Sequence, residues 1–119
     1  MTSVAMAEPR PRIPAGARVV VQEGFYEGLE LPIDAAWLVI GRGASADWTL
    51  SELTISRSHA AFGWDGETFF VEDLGSTNGT FVNGERRSRV PLQDGDGVQI
   101  GRLRLRVALP SRALDGDPR

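Results

Sequence analysis

Asp73-Leu74-Gly75-Ser76-Thr77-Asn78-Gly79-Thr80-Phe81-Val82-Asn83-Gly84 is a loop running into a short β-rich stretch. Thr68–Glu72 precedes it and Thr80–Val82 ends it, both built from aromatic and β-branched residues that favour a pleated surface. Between them lie glycine, Ser, Thr and Asn, the residues of turns rather than of helices. Working outward, further short runs of the same kind appear at Arg18–Glu23, Leu29–Pro32, Trp37–Ile40, Ala60–Trp64, Gly97–Ile100 and Arg102–Leu109. Arg102-Leu103-Arg104-Leu105-Arg106-Val107 alternates with the period of a half-buried strand. Trp64-Asp65-Gly66-Glu67 is a hairpin signal, because Asp-Gly suits the turn that matches strand twist. No helical stripe and no internal repeat are visible. Many short strands at this spacing predict an all-β antiparallel sandwich or barrel.

The predicted domain spans residues 17–109. Residues 1–16, with Pro9, Pro11, Pro14 and Gly16, have the composition of a flexible tail, as do residues 110–119. At 119 residues the chain holds one modest core. A net charge of −3 and a pI near 5.1 give no basic field for nucleic acid. No apolar run approaches the roughly 20 residues that span a bilayer, and Met1–Pro14 has no secretory pattern, so the expected setting is the cytoplasm. Zero cysteines remove disulfides, thiol catalysis and Cys-based zinc sites. All 13 basic residues are Arg, which fits either codon bias in a GC-rich, bacterial genome or the suitability of the guanidinium fork for phosphate.

Three loop segments carry the candidate chemistry: Gly41-Arg42, Ser56-Arg57-Ser58-His59, and Gly75-Ser76-Thr77-Asn78-Gly79-Thr80. They offer guanidinium groups, hydroxyls, a carboxamide and backbone N–H donors, an inventory suited to a tetrahedral anion. In this order and spacing, with Asn83-Gly84, Leu92-Gln93-Asp94-Gly95-Asp96 and Ile100-Gly101 following, they resemble the forkhead-associated (FHA) domain, a phosphothreonine-recognition module. The resemblance runs from about Arg18 to Leu109. It implies an antiparallel sandwich of about eleven strands whose loops at one end bind a phosphopeptide. Arg42 would ion-pair with the phosphate, Ser56 and Arg57 would bond its oxygens, Thr77 would add a hydroxyl or backbone donor, and Asn78 would hold the peptide main chain. Thr54, in Leu53-Thr54-Ile55, would face the residue three places after phosphothreonine. Gly41, His59, Gly79, Asn83 and Gly84 would be structural. The implied partner is a phosphothreonine-bearing protein, a Ser/Thr kinase or its substrate. The alternative is an FHA-like scaffold, in a secretion or cell-envelope assembly, that binds without phosphate.

Plainer roles stand beside these. Arg42 and Arg57 could be solvated, Ser56 could bond nearby backbone, and Thr77 and Asn78 could stabilise a turn. His59 with Ser56 or Ser58 and Asp73 could form a hydrolase triad, but the spacing does not support it and the G-x-S-x-G elbow is missing. Asp94-Gly95-Asp96-Gly97 fails as a calcium loop, since Val98 and Leu105 sit where oxygen ligands belong. No metal, cofactor or nucleotide is expected. Arg102, Arg104 and Arg106 look like a charged, protected strand edge. Thr2, if phosphorylated, could fold back into the chain's own site across a flexible tail.

Overall fold

The computed structural model describes residues 12–110. The predicted 1–16 tail falls outside these as far as residue 11, and so do Thr2 and residues 111–119 of the predicted C-terminal tail. Eleven strands form: β1 (Arg18–Val21), β2 (Glu30–Pro32), β3 (Trp37–Gly41), β4 (Trp48–Thr49), β5 (Ala60–Trp64), β6 (Phe69–Asp73), β7 (Thr80–Val82), β8 (Glu85–Arg86), β9 (Arg89–Pro91), β10 (Gly97–Ile100) and β11 (Leu103–Ala108). They make a six-stranded sheet in the order β2-β1-β11-β10-β7-β8 and a five-stranded sheet in the order β4-β3-β5-β6-β9. This is the predicted all-β sandwich, with one departure from pure antiparallel pairing: β3 and β4 run parallel.

Alternation along the strands builds the core. In β11, Leu103, Leu105 and Val107 are buried while Arg104 and Arg106 face outward. Val19 and Val21 of β1 pair with Val107 and Leu105, and Val98 of β10 pairs with Leu105. Phe62, Ile40, Ile55 and Ile100 fill the space between the sheets and are fully buried. Phe62 alone contributes roughly 1.5–3 kcal/mol by leaving water. Ile13 and Leu109, near the two ends of the described chain, pack against this core.

The arginine stripe needs correction. Its strand lies between β1 and β10, inside the six-stranded sheet, so Arg104 and Arg106 cover a sheet face and guard no edge. Among the described residues no helix is long and apolar enough to cross a membrane.

Turns at the sheet ends follow local chemistry. Asn83 (φ 50) and Gly84 (φ 87) form the two-residue connection of β7 to β8, which needs positive φ at both positions. The Asn83 carboxamide accepts the Gly97 N–H at 2.9 Å and donates to Asp96 at 3.0 Å, tying this hairpin to β10. The connections that matter for function are β3–β4, β4–β5 and β6–β7, whose contacts bring them to one end of the sandwich.

Candidate functional site

Gly41 ends β3 where two backbones touch. A Cβ there would lie 2.6 Å from the Arg57 carbonyl carbon and closer still to its oxygen, so only glycine allows the approach. The approach is held by Arg42 N–H donating to Ser56 O at 3.0 Å and Gly43 N–H donating to Arg57 O at 3.1 Å. Arg42 therefore starts beside Ser56. Its Nε donates to Ile55 O at 2.8 Å, which fixes the guanidinium plane and leaves both terminal nitrogens without an acidic partner among the described residues.

Ser56 Oγ accepts the Thr77 N–H at 3.1 Å, bridging the β4–β5 and β6–β7 loops. Thr77 thus uses its backbone donor internally and offers its exposed hydroxyl outward. Asn78 Nδ2 donates to Thr54 O at 2.7 Å, and its amide oxygen accepts no hydrogen bond among the described residues. Arg57 is exposed beside Ser56. Arg42, Ser56, Thr77 and Asn78 are thereby linked across three loops.

The Thr54 side chain is hydrogen-bonded within the protein. Its hydroxyl donates to Glu52 Oε2 at 2.6 Å and accepts the Arg102 N–H at 2.8 Å. The Thr54 hydroxyl and N–H, both donating to Glu52, hold its carboxyl below its ordinary range. Thr54 braces the loop, while its neighbour Leu53 is 86% exposed.

His59 is fully buried. Nδ1 accepts the Ser56 N–H at 3.0 Å, so the ring proton is on Nε2, which donates to Gly79 O at 2.8 Å. One imidazole thus clamps both loops, and neither nitrogen faces a hydroxyl, which removes the triad geometry. Burial holds its pKa below the ordinary value, against the raising influence of the Gly79 bond and the Asp73 carboxylate.

Asp73 was visible in the sequence, but its role was missed. Oδ2 accepts the N–H groups of Gly75 and Ser76, and Oδ1 accepts the hydroxyls of Ser76 and Thr80. Ser76 Oγ in turn accepts the Gly79 N–H at 2.8 Å. Burial would raise the Asp73 pKa, but these bonds outweigh it and hold the carboxyl below its ordinary range. An Asp followed by Gly and Ser at these offsets is a readable signal for such a self-bonded turn. Among the described residues, no group of acids and histidine is gathered to hold a metal ion.

A pH dependence follows. Unfolded His59 titrates near 6.5, and the folded value is lower. Between the two the unfolded chain binds more protons, so stability rises with pH. His59's contribution is complete above about pH 6.5 and is lost as pH falls below it. The chain has one histidine, and the depressed carboxylates act only at more acid pH. Melting temperature is therefore expected to fall from pH 7 to 5.5 in the wild type. His59→Gln, less stable throughout, should flatten that slope; an unchanged slope would remove His59 as its cause.

Comparison with known proteins identifies the family. The family model described as the FHA domain matches residues 38–101. An oxoglutarate dehydrogenase inhibitor from Corynebacterium efficiens is 40% identical over 104 residues, covering 87% of this chain and 73% of that protein. The glycogen accumulation regulator GarA from Mycobacterium tuberculosis is 41% identical over 92 residues, covering 77% of this chain and 57% of GarA. The chain thus spans part of each relative's length. Neither relative is named as an enzyme. A solved chain from a structural and functional analysis of phosphothreonine-dependent FHA domain interactions superposes with a TM-score of 0.73 at 30% identity, covering 80% of this chain and 97% of that one. The sandwich, the order of its loops and these matches together place the chain in the FHA domain family.

Proposed function

We propose that this chain is a phosphothreonine-dependent protein–protein interaction module that reads the output of a Ser/Thr kinase. The observation that carries the reading is the convergence of Arg42, Ser56, Thr77 and Asn78 from three loops, joined by the Ile55, Ser56 and Thr54 hydrogen bonds. Arg42 presents its two terminal nitrogens to the phosphate, and the Ser56 and Thr77 hydroxyls supply neutral donors. Arg57 adds a second positive charge. Asn78 keeps an amide oxygen for the peptide main chain. Phosphothreonine carries about −1.5 to −2 charge near neutral pH. Hydrogen bonds to a charged group contribute roughly 1.5–3 kcal/mol each. Three or four of them, less ordering and desolvation, leave about −7 to −9 kcal/mol, a micromolar affinity.

The activity is binding and not catalysis: both His59 nitrogens and the Asp73 oxygens are bonded within the protein. The partner is a phosphothreonine-bearing kinase or kinase substrate. Kinases draw on cytoplasmic ATP, so the interaction belongs in the cytoplasm. The matched relatives, named as an inhibitor and a regulator, support a regulatory role exercised through a bound partner. Residues 17–109 form the binding domain.

The test is calorimetry with a degenerate phosphothreonine peptide library and its unphosphorylated twin. Binding by the phosphorylated peptides alone is expected. Equal affinity for both would refute the proposal in favour of a phosphate-independent scaffold.

A further inference from the structure

Two adjacent carbonyls aim the ligand-facing side chains. Thr54 O takes Asn78 Nδ2 at 2.7 Å, and Ile55 O takes Arg42 Nε at 2.8 Å. Their anchorage differs. Ile55 is fixed by a fully buried side chain, and its N–H donates to Glu52 O at 3.1 Å. Thr54 is only half-buried, so its place depends on hydrogen bonds.

Those bonds lead away from the three loops and into the other sheet. The β10–β11 turn, Gly101-Arg102, joins the two central strands of the six-stranded sheet. Arg102 N–H donates to the Thr54 hydroxyl at 2.8 Å, and the hydroxyl in turn donates to Glu52 Oε2 at 2.6 Å. The Thr54 N–H donates to the same carboxylate oxygen at 3.1 Å. Gly101 lies directly against this residue. At its φ of +61, a Cβ would stand 2.6 Å from Thr54 Oγ1 and 2.8 Å from the Thr54 carbonyl carbon. Only glycine permits that approach. Gln99 Nε2 holds the turn by donating to Gly101 O at 2.9 Å. The turn thus meets Thr54 through backbone that two central strands keep in place.

We infer that the β10–β11 turn is a fourth element of the site, and that the Thr54 hydroxyl is a positioning group for the Asn78 carboxamide. Thr54 touches no ligand in this role; it acts through its own carbonyl. The inference rests on the phosphothreonine reading, in which Asn78 holds the partner's main chain. Asn78 is exposed, and a free carboxamide there would have to be ordered by the ligand. The Thr54 O bond orders it beforehand, which removes part of that cost from binding. Without the hydroxyl, the Arg102 N–H turns to water and the Thr54 carbonyl loses its support from the opposite sheet.

The test is calorimetry with one phosphothreonine peptide and its unphosphorylated twin. The proteins are the wild type, Thr54→Val, Thr54→Ser, Asn78→Ala and Thr54→Val combined with Asn78→Ala. Valine keeps the shape of threonine and loses the hydroxyl; serine keeps the hydroxyl. Thr54→Val is expected to bind the phosphopeptide about fivefold more weakly, about 1 kcal/mol, and Thr54→Ser to restore the affinity. In the Asn78→Ala background Thr54→Val should cost nothing further, because two groups acting through one contact are not additive. The Asn78 side-chain amide resonances of the free protein should move in Thr54→Val and stay in Thr54→Ser. Wild-type affinity in Thr54→Val, a serine variant as weak as the valine one, or additive losses would each overturn the inference. A wild type that binds both peptides equally, or neither, sinks the phosphothreonine reading instead. The amide resonances then still decide whether Thr54 seats Asn78, and signals unchanged in Thr54→Val overturn that as well.

Discussion

Replacing Arg42 with Ala is expected to weaken phosphothreonine-peptide binding by at least about 2 kcal/mol, roughly thirtyfold. The size of the effect comes from geometry as much as charge. The Nε bond to Ile55 O holds the guanidinium in place before the ligand arrives, so little side-chain freedom is lost on binding. Both terminal nitrogens then point a fork at two phosphate oxygens, a bidentate pairing stronger than a neutral bond. Arg42→Lys separates the two contributions. It keeps the charge but offers a compact ammonium with no fork and no Nε donor, so binding should recover only in part. The lost Ile55 bond is one partly buried contact worth about 1 kcal/mol of stability. Both variants should therefore remain folded, as a thermal melt would show. Calorimetry with one phosphopeptide decides the matter: a dissociation constant unchanged in Arg42→Ala takes Arg42 out of the site.

Legibility of the fold tracked the strength of local periodicity. β11 announces itself, because its leucines and arginines alternate over six residues and the structure buries and exposes them in that order. β4, β8 and β9 do not. They are two or three residues long, too short to show a period, and β9 ends in Pro91. Partners elsewhere make them strands. Asp47 Oδ2 accepts the Val39 N–H at 2.8 Å where the chain turns from β3 towards β4. Arg89 lies 3.9 Å over the Phe70 ring and 2.6 Å from Glu72, fixing β9 against β6. The arginine stripe shows the same limit: alternation reports which face a residue occupies, not where its strand sits in the sheet.

The candidate site was legible as a set of residues and illegible as a wiring. Order and spacing of the loop motifs named Arg42, Ser56, Thr77 and Asn78. Nothing local says that the Thr77 N–H goes to Ser56, 21 residues away, or that the Thr54 hydroxyl is occupied by Arg102, 48 residues away. Those pairings arise only once the loops meet at one end of the sandwich. They change the chemistry available, leaving Thr77 its hydroxyl and turning Thr54 into a brace. Asp73 is the reverse case: all the partners of its carboxylate lie within seven residues, so its role was in the sequence to be read.

Gly41→Ala should be among the most damaging single methyl additions to this protein. The new carbon would press on the backbone of Arg57 and Ser56, not on a movable side-chain tip, so β3 and the β4–β5 loop must part. Parting them strains the Arg42–Ser56 and Gly43–Arg57 hydrogen bonds. Overpacking costs roughly 1–3 kcal/mol and each lost backbone bond about 1 kcal/mol, giving a total of about 3 kcal/mol or more. Against a stability of roughly 5–15 kcal/mol that is a large share. It corresponds to a fall in melting temperature of about 12 °C or more for a domain of this size. Binding should weaken as well, since the same contact seats Arg42 beside Ser56. Gly97→Ala is the matched control. Its Cβ would meet only the Asn83 amide oxygen at 3.8 Å, with no positive φ to forbid it. Reduced freedom of the unfolded chain should leave it neutral or more stable by up to about 1 kcal/mol. Thermal melts of the pair read the difference directly. If Gly41→Ala melts with the wild type, β3 does not approach Arg57 as described, and the placement of Arg42 falls with it.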